Sequence, residues 1–223
     1  MQLLDTPDSN IFWYAITKNT SESSVNSIGY FEHVKSGNSM LLDSVKEEID
    51  NFIYKKCPYI RSFLILCQIS GDDIEAELSN ISKKRNPEEK EKIVLESSNI
   101  VRYLHEKVGN NFEFSINIQH ILRKEMDDLF ALFEKRSIPS LKKWDEKIQD
   151  EVEALNNLGL ENHMDALHMV NFFDYLQNQS INGIFITYDK NDFSFCEKLK
   201  EKLWRIKIQN PKEFLASRNN KTE

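Results

Sequence analysis

Four carboxylates in this chain stand where an ordinary surface acid would not. Along DSVKEEIDNFI, residues 43–53, a helical step of about 100° per residue gathers Val45, Ile49, Phe52 and Ile53 into one apolar stripe. Glu48 falls on the flank of that stripe and Glu47 points the other way. Along HMDALHMVNFFDYL, 163–176, the stripe is Met169, Phe172, Phe173 and Leu176, with Asp165 near its centre and Asp174 opposite. A carboxylate turned toward a core costs several kcal/mol unless it is paired or holds a metal. The helix dipole, worth about 0.3–1 kcal/mol in a first turn, explains an acid at that end of a helix but not on its buried stripe.

The other two acids follow predicted strands. Asp8 opens DSNIFWYAI directly after the first strand, and Asp189 closes FITYD. In parallel α/β sheets, ligands collect beyond the carboxyl ends of the strands, so Asp8, Glu48, Asp165 and Asp189 are expected to converge there. Four carboxylates at one point repel and stay partly protonated unless a cation joins them. Hard oxygen ligands suit Mg²⁺ or Mn²⁺ rather than zinc. Asp192 is placed to cap the helix FSFCEKLKEKL and is held as a reserve ligand. Asp5, in LLDT, competes with Asp8 as the first acid, although Asp8 keeps Asn10 and the apolar helix behind it. His163 and His168 flank Asp165 but diverge on a helix, which assigns them core or polar-cap roles. No Gly-rich phosphate loop is present.

The elements that would position these acids follow from pattern. A short strand at about 2–6 leads to a helix in SNIFWYAITKN and a second in SSVNSIGYFEHVKSG. SMLL, 39–42, reads as a strand, with Asp43 or Ser44 capping the helix VKEEIDNFIYKK. The region 58–158 is mostly helical in pattern; then come an apolar helix at 162–177, a strand at 183–188, a helix at about 192–203 and a last strand in WRIKIQNP. Strands alternating with helices at both ends predict a single α/β domain over 1–223 with a largely parallel sheet, carrying 58–158 as a helical insertion.

Composition sets the outer bounds. The chain has 223 residues, 40% hydrophobic and 29% charged, which is ordinary for a folded soluble protein. The longest apolar run, FLILC at 63–67, is too short to span a bilayer, so no membrane partner is expected. The start MQLLDTPDSN has neither the basic region nor the long apolar run of a secretory signal, and the three cysteines lack metal-type spacing. A reduced, cytoplasmic setting is the expectation. A net charge of -7 argues against a surface that coats polyanions generally. It does not exclude a nuclease, whose metal site is itself a concentration of acid. Lys198, Lys200, Lys202, Arg205 and Lys207 form a basic stretch that reads as a solvated face.

On these residues the chain resembles the PIN domain, a metal-dependent nuclease family found among toxin ribonucleases and RNA-processing enzymes. DSNIFWYAI at 8–16 is similar to the opening aspartate motif of that family, and SVKEEI at 44–49 to the segment carrying its acid, in a register that selects Glu48. DALHMV at 165–170 resembles the central aspartate motif, ITYDKNDF the closing one, and IKIQNPKEFL the last strand and proline turn. The match covers roughly 1–55 and 158–216. It implies a three-layer α/β/α fold with a mainly parallel central sheet. It also implies hydrolysis of a nucleic-acid phosphodiester, RNA first, with Asp8, Glu48, Asp165 and Asp189 holding one or two Mg²⁺ or Mn²⁺ ions and Asn10 and Thr187 orienting the carboxylates. The rivals are a catalytically silent binding or scaffold module and a nuclease acting on structured DNA. The insertion would supply a substrate arm, a surface for a protein partner, or contacts for a homo-oligomer.

Overall fold

Pro7 has no N–H to offer a neighbouring strand, and β1 (Leu4–Pro7) ends on it. The computed structural model describes residues 3–18, 20–35, 37–109, 117–134, 136–141, 145–160, 162–189 and 197–219. In it, β1 pairs in parallel with β4 (Gly183–Ile186), Leu4 opposite Gly183 and Pro7 opposite Ile186. β4 pairs in parallel with β5 (Ile206–Gln209), and β2 (Leu41–Leu42) with β3 (Ser137–Ile138). A parallel bridge between Asp5 and Ser39 joins the two sheets at β1. Across that bridge the strand order is β3–β2–β1–β4–β5. Every residue of β1 and β4 is buried, the pattern of strands with no solvent-facing side. The expected mixed α/β architecture with a parallel sheet is therefore present.

The chain divides into two compact units. The first comprises 1–48 and 128–223 and contains all the described strands; the second, 49–127, is helical. Residues 128–158, part of the span that the sequence pattern reads as mostly helical, fall in the first unit, where they include β3 and α9 (Glu146–Asn157).

In the sheet-bearing unit, β1 leads into α1 (Ser9–Thr17) and α2 (Glu22–Val34). Phe12 of α1 packs on Phe31 of α2 with ring centroids 5.0 Å apart, and Phe12, Phe31 and Phe133 are all buried. β2 passes without a loop into α3 (Asp43–Lys55), whose span crosses the boundary between the two units; it buries Val45, Ile49 and Ile53, whereas Phe52, expected on the same stripe, is half-buried. α10 (His163–Asn178) starts at an Asn162 cap, whose side chain accepts from Met164 N, and buries Met169, Phe172 and Leu176. Phe173, expected on the same stripe, is only half-buried. The helix lies close against β4: a Cβ built on Gly183 would stand 2.5 Å from Phe172 Cζ, so any larger residue there requires a shift of the packed side chains. Of the predicted helix at 192–203, α11 (Glu197–Lys202) is described, and Asp192 lies outside the described residues. The expected proline turn after β5 is instead the start of a helix, α12 (Pro211–Asn219). Asn210 and Glu213 cap it reciprocally, Glu213 N donating to Asn210 Oδ1 and Asn210 N to Glu213 Oε2.

The helical unit holds α4 (Cys57–Ser70), α5 (Ile74–Ser82), α6 (Glu89–Glu96) and α7 (Ser98–Val108); its boundaries fall within the spans of α3 and α8 (Ile118–Ala131). Leu64, Leu78, Ile81, Val94, Ile100, Val101 and Leu104 are buried. Tyr54, Tyr59, Leu66 and Ile69 remain exposed. No helix among the described residues is long and apolar enough to cross a membrane.

Candidate metal centre

Three parallel strands end on the residues that matter. β1 runs into Asp8, β2 into the first turns of α3 with Ser44 and Glu48, and β4 into Thr187 and Asp189. All of these side chains belong to the sheet-bearing unit.

Asp8 is fixed by its neighbours on every side. Its N–H donates to Ile186 O at 2.9 Å, one step beyond the β1–β4 ladder. Its Oδ1 accepts from Ser9 N at 2.7 Å and so caps α1. Its Oδ2 accepts from Thr187 Oγ1 and from Asn10 Nδ2, each at 2.8 Å. Only 2% of the residue is exposed. Burial pushes its carboxyl from the ordinary 3.8 up to about 6; the carboxylates of Glu48 and Asp189 add to the rise, while His168 and the Thr187 hydroxyl oppose it.

Asn10 ties Asp8 to the exposed Asp189. Its Nδ2 lies 2.8 Å from Asp189 Oδ2 and 3.0 Å from Thr187 Oγ1, so its two hydrogens serve three acceptors. The Asp8 and Asp189 oxygens, each 2.8 Å from that nitrogen, therefore lie within twice that distance of one another. Asp189 N donates to Thr187 Oγ1. Asn10 Oδ1 is sealed from solvent with no hydrogen-bond partner among the described residues.

Ser44 and Glu48 are four residues apart on α3 and share one face. The ring of His168 meets both: Nδ1 lies 2.9 Å from Ser44 Oγ and Nε2 2.9 Å from Glu48 Oε2. Ser44 and His168 are fully buried, while the Glu48 side chain is 29% exposed. Ligand atoms of Asp8, Glu48 and His168 all lie within 4.8 Å of one another.

The structure thus brings Asp8 and Glu48 together as expected, and the sequence-predicted Asn10 and Thr187 contact Asp8. Among the described residues, however, the group of three is closed by His168, and takes in neither Asp165 nor Asp189. Asp165 is 7% exposed in the first turn of α10, and Asp189 reaches Asp8 through Asn10. The sequence predicts an all-oxygen set of Asp8, Glu48, Asp165 and Asp189; the group that closes within 4.8 Å among the described residues has two carboxylates and an imidazole. A signal for His168 was present: three residues after Asp165, it lies only about 60° away around the helix. Glu47 and Asp174, placed on solvent-facing sides, are partly exposed.

Asp5 does not compete with Asp8. Its side chain is fully buried, with Oδ1 accepting from Tyr30 Oη at 2.8 Å and Ser39 Oγ at 2.5 Å. Its Oδ2 faces His33 Nε2 and Arg218 Nη2, each at 3.7 Å. Burial and the Asp5 carboxylate push the Tyr30 hydroxyl well above its usual range. Asp5 is a structural acid holding α2, the approach to β2 and α12 to the first strand.

Ser44, His168 and Glu48 have the connectivity of a Ser–His–acid relay, but its order relative to solvent is reversed. The hydroxyl is at the closed end and the carboxylate at the open one, so Ser44 Oγ has no route to a substrate. Burial pushes the Cys57 thiol to about 12 and Cys67 to about 11, which leaves neither as a thiolate nucleophile. What the arrangement can do is hold a divalent cation with mixed oxygen and nitrogen donors. In comparisons with known proteins, the chain matches no protein-family model, no curated protein and no solved structure.

Proposed function

We propose that this chain is a metal-dependent phosphodiester hydrolase, a PIN-like endoribonuclease of toxin or RNA-processing type built on a three-layer α/β/α domain. The observation that carries the reading is convergence: Asp8, Glu48 and His168 come from segments far apart in sequence, yet their ligand atoms meet within 4.8 Å at the carboxyl ends of parallel strands. The donor set fits a divalent cation, since carboxylate oxygen and imidazole nitrogen are both ligands of such ions. The buried Asn10 Oδ1 adds an acceptor with no described partner beside it. Asp8, Glu48 and His168 would hold the ion, Mg²⁺ or Mn²⁺. It would supply an activated water and charge stabilisation at the phosphoryl oxygens.

The chain's own groups prepare that site. Thr187 and Asn10 lock the Asp8 carboxylate by donating to Oδ2, and Ser9 N–H holds Oδ1. Asp189, exposed and tied in through Asn10, would meet a second cation or the incoming water. Asp165 enters as a supporting acid one turn before His168.

One observation favours the scaffold reading. The Glu48–His168 contact at 2.9 Å is a complete polar pair that needs no ion. The two readings separate in one experiment: incubate the chain with structured RNA, single-stranded RNA and duplex DNA in Mn²⁺ or in EDTA, beside Asp8→Asn. The expected outcome is Mn²⁺-dependent internal cleavage of RNA, reduced at least about 100-fold in the variant. Cleavage of structured DNA alone would redirect the substrate. No cleavage of any nucleic acid by the metal-loaded chain would leave the scaffold.

A further inference from the structure

We propose that Ser44 and His168 act together to set the cation preference of this centre, with His168 Nε2 as a direct ligand and Ser44 as the positioning residue that holds the ring, so that Mn²⁺ is taken ahead of Mg²⁺. This rests on the metal-dependent reading above and deepens it.

A histidine that binds a cation through one ring nitrogen needs a partner for the other, which sets the tautomer and the ring orientation. Ser44 Oγ, 2.9 Å from Nδ1 and fully buried, is such a partner. Nε2 is thereby turned toward Glu48 Oε2, and the ring stands within the 4.8 Å group that includes a ligand atom of Asp8. A hydroxyl suits this position because it both donates and accepts. With Nε2–H donating to Glu48, Nδ1 accepts from the Ser44 hydroxyl. With the Nε2 lone pair given to a cation, the ring proton resides on Nδ1 and is donated to Ser44 Oγ. The same contact serves both states, with the hydroxyl hydrogen rotated between them. An alanine here offers neither role, and a fully buried Nδ1 has no water to replace it.

The consequence for ion choice follows from ligand softness. Mg²⁺ takes oxygen ligands in near-ideal octahedral geometry and keeps much of its water. Imidazole nitrogen is a softer donor that first-row divalent metals accept; Mn²⁺, the weakest of that series, still takes nitrogen more readily than the harder Mg²⁺. A third carboxylate in place of His168 would leave the choice to charge and size, whereas the imidazole tilts it toward Mn²⁺.

The test uses the full chain and the bare ions. Measure Mn²⁺ and Mg²⁺ binding by calorimetry for wild type, Ser44→Ala, Ser44→Thr and His168→Gln, and record electron spin-echo spectra of bound Mn²⁺ for nitrogen modulation. In wild type, Mn²⁺ binds at least about tenfold tighter than Mg²⁺ and shows directly bonded imidazole nitrogen. Ser44→Ala weakens Mn²⁺ about tenfold and Mg²⁺ much less, the size expected for loss of a group that orients a metal-binding histidine. Ser44→Thr, which keeps the hydroxyl, restores most of the affinity. His168→Gln removes both the nitrogen signal and the preference. Should Ser44→Ala not fold, shown by metal-free circular dichroism, the nitrogen signal and the His168→Gln comparison decide alone. Mn²⁺ bound without nitrogen modulation, or both ions weakened equally by Ser44→Ala, overturns this inference and leaves the metal-dependent reading standing. Failure of wild type to bind either ion overturns both.

Discussion

Replacing Asp8 by Asn should make the metal-free protein more stable at neutral pH, and the size of the gain follows from its surroundings. Its carboxyl is raised from 3.8 to about 6 by burial and by the carboxylates of Glu48 and Asp189. A tenfold change in proton affinity is worth about 1.4 kcal/mol, so holding Asp8 ionised in the fold costs about 3 kcal/mol. Because the folded value lies above the unfolded one, the native state binds more protons between the two. Stability therefore falls as pH rises from about 4 through 6 and is flat above that, as far as this group is concerned. An asparagine carries no charge and titrates nowhere in the range. It can still accept at one position, from Thr187 and Asn10 or from Ser9 N–H, but not at both, which costs about 1 kcal/mol. The net expectation is a variant about 2 kcal/mol more stable than wild type at pH 7.5 and about equal to it at pH 4.5, where the wild-type carboxyl is largely protonated in the fold. Urea unfolding of both proteins in EDTA, across that pH range, measures the difference directly. Curves that stay parallel, with no growth of the gap between pH 4.5 and 7.5, would refute the electrostatic account of the site. Adding Mn²⁺ should reverse the ranking: at 100 times Kd the wild type gains about 2.7 kcal/mol by linkage, and the variant gains far less.

Two further substitutions probe the scaffold around the centre. Gly183→Ala places a methyl 2.5 Å from Phe172 Cζ and 2.9 Å from Leu176 Cδ2, so α10 must shift from β4. A loss of about 1–3 kcal/mol is expected, seen as a lower Tm, and an unchanged Tm would show that the helix yields freely. Asp5→Asn leaves Tyr30 and Ser39 an acceptor but removes the charge facing Arg218 and His33. It should destabilise the fold by about 3 kcal/mol and leave the Mn²⁺-induced rise in Tm intact. A lost metal response with the fold preserved would make Asp5 part of the centre after all.

Legibility in the sequence tracked the range of the interactions involved. Asp8 was readable because the strand end and the apolar helix that follows are contiguous in DSNIFWYAI, and the structure adds that Asp8 caps that helix. Glu48 was readable because the helical period alone turns it toward the stripe of Val45 and Ile49. The apolar run GIFI announced β4 for the same local reason. α12 departs from expectation although its signals are local: Pro211 reads as the end of a strand, whereas proline also opens helices and Asn210 with Glu213 forms a reciprocal cap. β3 has two residues and exists through its pairing with β2, so no pattern within it could have declared it.

The make-up of the centre was the decision of tertiary structure. Which acids sit on inward faces is a matter of helical period, and the sequence by itself determined that for Glu48 and Asp165. Which inward side chain then closes a group with Asp8 depends on how α10 is set against α3, and no local pattern encodes that. The packing brings the ring of His168 onto Ser44 and Glu48, more than a hundred residues away in sequence. The period placed Asp165 and His168 on neighbouring rows of one helix; the docking of that helix gave the contact to His168 and so set an imidazole beside the carboxylates of Asp8 and Glu48.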